Sequence, residues 1–552
     1  MTLKYFCRFN IIAIIFILSL SSCKKYLTKV PTDALSDQTL WNNKDNVDLF
    51  LNGVYSRVPG SFGTDDPIEN YSDNSMASGG NLYSRQVYGQ AEYTADNSPT
   101  FSASWSTLYS AIRSCNVFIK NLGSTGEIND AGWKAKRLAE ARFLRAYFYQ
   151  LLWLQYGGVP IIEDVLNVSE QGDEIFRPRN TDEETVKFIT DECAAIVDDL
   201  PLKAEVGGRA ARGSALALKG WCELYNASPL KNANNDKGRW QVAATTFKKI
   251  IDMKVYSLFP EYNDMFMEGN NNNNEVIFAK QYLGNTSLGG SREGLQGPWH
   301  AGPLDVSWNG VNPTQELVDS YMMANGLPIS DPASGYNPQD PYSNREKRFY
   351  ESIVYDGSTW LGYQMAIKQG VGSDVATDIS GSRGGTKSGY YLRKGLNPKY
   401  AIKGPNQQNS ANEILFRYGE ILLCYAEAQN EAVGPDESVY DAINKVRNRV
   451  DLPSLKDGLT QDEMREAIYR ERRVELAFEN KRLYDLLRWK KAFEKLNTHL
   501  HGIIIEKVND SWNYRVFEAA FGERHFKERN YLLPIPTSAR ELNKQLTQNP
   551  NY

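Results

Sequence analysis

Histidine is scarce: only His300, His499, His501 and His525 occur in 552 residues. His499 and His501 could share a face in a strand but not on a helix, so no metal site is expected. The sequence has no His-Glu-x-x-His, Gly-x-Ser-x-Gly or phosphate-loop pattern to support an enzyme. Cysteine is sparse as well, six residues with no Cys-x-x-Cys. Cys115, Cys193, Cys222 and Cys424 are widely spaced within apolar helical patterns, so buried free thiols are expected in place of disulfides or zinc. Basic clusters are missing too. A formal net charge of −5 argues against nucleic acid as the main partner, and neutral or weakly charged ligands fit better.

Long apolar runs are confined to the start. Lys4 and Arg8 precede an apolar stretch at 11–20 that is too short to span a bilayer, so residues 1–22 read as a signal peptide. It ends in Leu20-Ser21-Ser22-Cys23, which resembles the bacterial lipobox. That motif implies cleavage before Cys23, a lipid on its sulfur and an acyl group such as palmitate on the new N-terminus. Acyl burial contributes about 0.8 kcal/mol per methylene, and two or more chains anchor stably. The plain alternative is an ordinary signal peptide with an accidental cysteine. Removing two basic residues with the signal takes the charge from −5 to −7.

Aromatic residues are abundant, 12% of the chain with 32 Tyr and 11 Trp. That exceeds what helix packing needs, so some rings are expected on surfaces. Beyond a tether at 23–40, helical spacing dominates 41–260. Trp105, Tyr109, Ile112, Asn116 and Ile119 share one face, and Phe143, Leu144, Tyr147, Phe148, Leu151 and Leu152 another. The second helix stops at Gly157-Gly158 with Pro160 beyond. Two stretches, 215–227 with 240–251 and 414–431 with 439–450, read as distant copies of one helical hairpin, with small and aromatic residues alternating. Residues 261–410 differ, with an Asn run at 270–274, many Gly, scattered Trp and Tyr, and short β-like pieces such as Val276-Ile277-Phe278 and Tyr390-Tyr391-Leu392. They read as ordered loops on the helical scaffold. Residues 411–552 return to helix.

Several blocks, in order along nearly the whole chain, resemble the SusD/RagB family. They are Cys23 with Tyr26-Leu27 and Pro31-Thr32-Asp33; Glu140-Ala-Arg-Phe-Leu-Arg-Ala-Tyr to Tyr156-Gly-Gly-Val-Pro160; and Pro313-Thr-Gln-Glu-Leu-Val-Asp-Ser-Tyr321 through Gly326. The others are Arg417-Tyr-Gly-Glu-Ile-Leu-Leu, Glu471-Arg-Arg-Val-Glu-Leu-Ala-Phe-Glu479 to Trp489, Tyr531-Leu-Leu-Pro-Ile-Pro536 and Asn549-Pro-Asn-Tyr552. The resemblance implies a mainly α, tetratricopeptide-like hairpin scaffold with an irregular, loop-rich ligand-binding face. It further implies a non-enzymatic lipoprotein of the outer membrane, facing the exterior and without a cofactor. Such a protein captures oligosaccharides and passes them to a SusC-type TonB-dependent transporter. Capture of peptides or another nutrient, or a surface hydrolase, are the alternatives.

Two groups of side chains stand out. Glu471, Glu475 and Glu479 form an i, i+4 stripe whose mutual repulsion calls for facing cations, with Arg142, Arg145, Arg447 and Arg449 as candidates. Catalytic carboxylates would need a partner across a cleft; an internal ion-pair network is the reading favoured. Sugar binding asks for flat rings and planar polar groups. Tyr71, Asp73, Asn74, Tyr83 and Arg85 supply both in one region, Trp299, Trp308 and Asn309 in another, and Trp360 is a third possibility. For each ring the alternative is that it pins its loop to the core. Trp105, Trp153, Trp221 and Trp489 lie on helical faces and are expected in the core.

Overall fold

The computed structural model describes residues 40–78, 87–284, 292–301, 304–305, 307–369, 385–400 and 409–552. The expected signal peptide, Cys23 and nearly all of the tether lie outside the described residues, as do Tyr83 and Arg85. Ten helices carry the scaffold: α1 (Lys44–Tyr55), α2 (Trp105–Ser124), α3 (Ala131–Tyr156), α4 (Asp182–Ile196), α5 (Arg212–Ala227), α6 (Lys237–Asp252), α7 (Tyr418–Val433), α8 (Glu437–Arg449), α9 (Gln461–Glu475) and α10 (Arg482–Arg488). The fold is the mainly helical, tetratricopeptide-like stack expected from the hairpin pattern.

Local chemistry sets the helix ends. Asp130 caps α3 by accepting from the Trp133 amide at 3.0 Å. The helix ends where Gly157 adopts φ +72°, and a Cβ on Gly158 would stand 2.2 Å from the Asn180 carbonyl oxygen, so only glycine fits the exit. A capping box of Thr181 and Glu184 opens α4. Neighbours then stack in the order α2, α3, α4, α5, α6, with α7 joined to α6 and flanked by α8 and α9. The α6–α7 contact brings together two hairpins separated by the irregular region. One continuous apolar core runs through the stack and includes Trp153, Trp221 and Tyr225, with Trp105 half-buried against it. All four described cysteines are buried free thiols. Among the described residues no helix is long and apolar enough to cross a membrane.

Three local expectations change. First, residues 413–417, read as the start of a helix from Ile414, form a strand, β4. It pairs antiparallel with β1 (Val276–Lys280), Glu413 opposite Lys280 and Ile414 opposite Ala279. A short apolar run cannot by itself distinguish the two states. Second, the single helix that an i, i+4 stripe of Glu471, Glu475 and Glu479 implies breaks after Glu475, and Phe478 and Asn480 take φ of +63° and +60° before α10 begins. The freed carbonyls at the break are claimed by side chains from elsewhere. Glu475 O accepts from Tyr262 at 2.6 Å, Arg417 at 2.9 Å and Lys394 at 2.9 Å, and Lys394 also reaches Ala477 O at 2.9 Å. Third, the C-terminal part carries the longest strands, β5 (His499–Val508) and β6 (Ser511–Glu523). They are joined by an Asn509-Asp510 turn with both φ positive, as a two-residue hairpin demands.

The irregular region has a core of its own, built on Tyr321, Phe349, Ile353, Trp360, Tyr390 and Tyr391 and closed by Ile503 of β5. A buried ionic seam welds this layer to the helices. Arg348 meets Glu471 at 2.7 Å and Glu475 at 2.9 Å, Arg417 meets Glu275, Glu475 and Glu479 at 2.7 Å each, and Lys394 meets Glu479 at 2.6 Å. Arg447 reaches Glu471 at 3.1 Å, and Arg449 pairs with both Glu275 and Glu475. Burial raises the Glu475 pKa, but Arg449, Arg417 and Arg348 outweigh it and hold the carboxyl well below the usual range. The stripe is thus an internal ion-pair network. Arg447 and Arg449 serve it as expected, whereas Arg142 and Arg145 do not: α3 faces α4, and both pair with Glu192 at 2.6 and 2.7 Å.

Candidate ligand-binding face

Five of the residues expected to meet ligand are buried and internally committed. Tyr71 packs edge-on against Tyr88 and Phe101, with ring centroids 5.1 and 5.3 Å away. Asp73 is gripped by Arg482 at 2.7 and 2.9 Å and by Arg473 at 3.0 Å. Burial raises its pKa, but Arg473 and Arg482 prevail and hold it low. Asn74 donates to Glu69 at 2.7 Å and accepts from Arg473 at 2.8 Å. Asn309 donates to Asn312 at 3.0 Å and to the Gly385 carbonyl at 3.3 Å. Trp360 sits inside the loop-layer core. These five are therefore removed from the exposed set. Polar loops rich in Gly, Ser and Asn read as surface, but Arg473 and Arg482 draw Asp73 and Asn74 inward. Tyr83 and Arg85 lie outside the described residues.

Trp299 and Trp308 remain, and the structure brings them together. They flank a short hairpin, β2 (His300–Ala301) against β3 (Leu304–Asp305), with His300 opposite Asp305. Trp308 is 59% exposed and Trp299 half-buried. Their ring centroids lie 6.0 Å apart at 74°, and the His300 ring stands edge-on to Trp299 at 5.6 Å. The backbone beneath is pinned. The Trp308 amide donates to Gly294 O at 2.8 Å, Gly310 N to Leu295 O at 2.8 Å, and the Ser78 hydroxyl to Trp308 O at 3.3 Å. Asn309 takes the left-handed region at φ +53°, its side chain turned inward beside the outward ring. A Cβ on Gly310 would lie 2.3 Å from Asp65 O, so the turn is seated against the 61–66 loop. Sequence reasoning found the two rings but not the residues that hold them. Gly310 and Asn309 beside Trp308 were the available signal, since asparagine tolerates positive φ and glycine allows another backbone to approach closely.

Two rings at a steep angle on a pinned backbone form an apolar corner whose shape is set before any ligand arrives, so little ordering cost is paid on binding. Flat faces of this kind suit the C–H face of a sugar ring. A stacked-hairpin scaffold presenting such a loop-borne platform defines a helical-repeat binding protein.

Residues 274–552 match the model of the SusD family, and residues 25–219 match one described as starch-binding associating with outer membrane. The chain belongs to the SusD family. It is 26% identical to SusD-like protein P25 of Formosa agariphila over 98% of both chains, and 25% identical to a SusD-like protein of Bacteroides ovatus over 91% of this chain and 85% of that one. A SusD-like protein from Bacteroides fragilis superposes with a TM-score of 0.78 at 28% identity, covering 95% of this chain and 100% of its own. A SusD-like carbohydrate-binding protein from the same species gives 0.75 at 28% identity over 92% and 100%.

Proposed function

We propose that the protein is a glycan-binding lipoprotein of the outer-membrane surface, held by a lipid on Cys23. In this reading it captures oligosaccharides and delivers them to a SusC-type TonB-dependent transporter. The observation that carries the reading is the exposed, pre-set Trp299–Trp308 corner on a SusD-family scaffold. Support also comes from the carbohydrate-binding B. fragilis relative and from the lipobox at residues 20–23. The rings cover the apolar face of a sugar while loop groups bond its hydroxyls, and no covalent chemistry is required.

Calorimetric titration of the mature chain, with Cys23→Ser for solubility, against starch, fructan, pectin, mannan and host N- and O-glycan fragments tests it. Binding to one class that Trp308→Ala weakens about thirtyfold supports the reading; flat titrations across the panel, or binding of peptides alone, overturn it. Anchoring is tested separately by fractionating cells that express Cys23→Ser, which moves the protein out of the outer-membrane fraction. Delivery is tested by recovery of a β-barrel transporter with the lipidated chain.

A further inference from the structure

The helical turn Arg292–Gln296 has two sides. Towards the surface, its Gly294 and Leu295 carbonyls accept from the Trp308 and Gly310 amides of the platform. Inwards, Arg292 lines a chamber of about 310 Å³, whose other walls come from the 59–68 loop, α3, α5, β4 and the 478–484 break. Gly60 and Thr100 in the lining are exposed, so the chamber communicates with solvent.

The other charged groups of the lining are committed. Lys394 meets Glu479 at 2.6 Å, and Lys481 meets Glu420 at 3.0 Å and the Leu415 carbonyl at 2.8 Å. Glu413 accepts from the Ser61 amide and hydroxyl at 2.7 Å each and from Tyr282 at 3.1 Å, and Asp66 accepts from Asn70 at 3.2 Å. Arg292 is different. It is 6% exposed, yet among the described residues it forms no ion pair. It donates only to neutral oxygens at the long end of the range, Nε to Gln296 Oε1 at 3.4 Å and Nη1 to the Gly395 carbonyl at 3.3 Å. The Phe62 ring covers the guanidinium, its centroid 4.4 Å from Cζ. Nη2 meets no protein acceptor among the described residues and is not sealed off, so it is the edge open to the chamber.

A guanidinium keeps its proton at physiological pH, and a buried charge calls for an opposite one. Burial draws the Arg292 pKa down by more than Glu293, Glu413 and Glu479 push it up, so those carboxylates leave the charge under-compensated. The backbone makes room for the group. Gly395 takes φ +69°, and a Cβ there would stand 2.5 Å from Nη1. One unmatched cation calls for one negative charge, which favours a carboxylate over a phosphate dianion. Phe62, Phe266 and Phe478 in the lining supply apolar contact for the body that carries it.

We propose that the chamber is an anion site in which Arg292 pairs with a carboxylate, borne by a small organic acid or by an acidic sugar. The site is separate from the Trp299–Trp308 corner and does not depend on the glycan reading.

Saturation-transfer NMR tests it on the mature chain carrying Cys23→Ser and Trp308→Ala, so that the platform is silenced and the chamber alone is read. The probes are acetate, galacturonate and, as the neutral counterpart, galactose. Transfer to acetate assigns the site to carboxylates in general, and transfer to galacturonate alone assigns it to the acidic sugar. Either signal is expected to weaken at least about tenfold when Arg292→Gln is added, which removes the charge and keeps a polar group. Absence of transfer to both acids, transfer to galactose as strong as to the acids, or a signal untouched by Arg292→Gln overturns the proposal. Should Arg292→Gln fail to fold, crystals of the Cys23→Ser chain soaked in bromide decide: an anomalous peak against Nη2 supports the site, and a chamber without one overturns it. Oligosaccharide binding that depends on Trp308 stands or falls independently of each of these results.

Discussion

Replacing Glu479 with Gln probes the seam between the helices and the loop layer. The side chain is 7% exposed and meets Lys394 at 2.6 Å and Arg417 at 2.7 Å. Burial raises its pKa, but Arg417 and Lys394 overcome that and hold it at about 2, against 4.5 when free. A carboxyl whose folded pKa is depressed stabilises the fold fully above its unfolded pKa. The contribution fades as pH falls from 4.5 towards 2. The shift corresponds to about 3 kcal/mol at neutral pH and about 1.5 kcal/mol near pH 3. Lys394 limits the damage. Burial already draws it down to about 8, and without its carboxylate it sheds its proton close to neutrality in place of standing as a buried unpaired charge. The net expectation is a loss of roughly 2–3 kcal/mol at neutral pH for Glu479→Gln, shrinking by about half near pH 3. Urea unfolding followed by tryptophan fluorescence, repeated from pH 7 to 3, measures it. A loss below about 0.5 kcal/mol at neutral pH, or one that stays constant as pH falls, would refute the electrostatic account.

Other consequences follow from particular contacts. Trp308→Ala is expected to weaken glycan binding by about 2 kcal/mol, near thirtyfold, with an unchanged circular dichroism spectrum; calorimetry reads it. Gly158→Ala forces a methyl against the Asn180 carbonyl and should cost about 1–3 kcal/mol, seen as a lowered Tm. Cys115, Cys193, Cys222 and Cys424 are buried, and burial pushes the Cys424 thiol up to about 12, so a thiol reagent should label none of the four until the protein unfolds.

The scaffold was legible because its signals are short-range. Spacing of three and four identified α2, α3, α5 and α6, and Gly157-Gly158 marked the end of α3. The alternation of small and aromatic residues pointed to stacked hairpins. The platform was half legible: Trp299 and Trp308 stood out as rings in a loop-like setting, and they do form the exposed pair. Their neighbours misled. Asp73 lies in a stretch as polar as any surface loop, yet Arg482, 409 positions away in the chain, draws it inside. The break after Glu475 was hidden for the same reason, since its carbonyls are satisfied by Tyr262, Lys394 and Arg417 and not by anything near in sequence.

Periodicity, caps and glycine stops act within a few residues, so sequence alone determined the helical class, the hairpin units and the family. Which loops turn inward depends on pairings across hundreds of residues, where a buried charge must find its opposite or not be buried at all. That choice belongs to the assembled molecule. It is why the seam through Arg417 and the burial of Asp73 emerge only when the two layers are packed together.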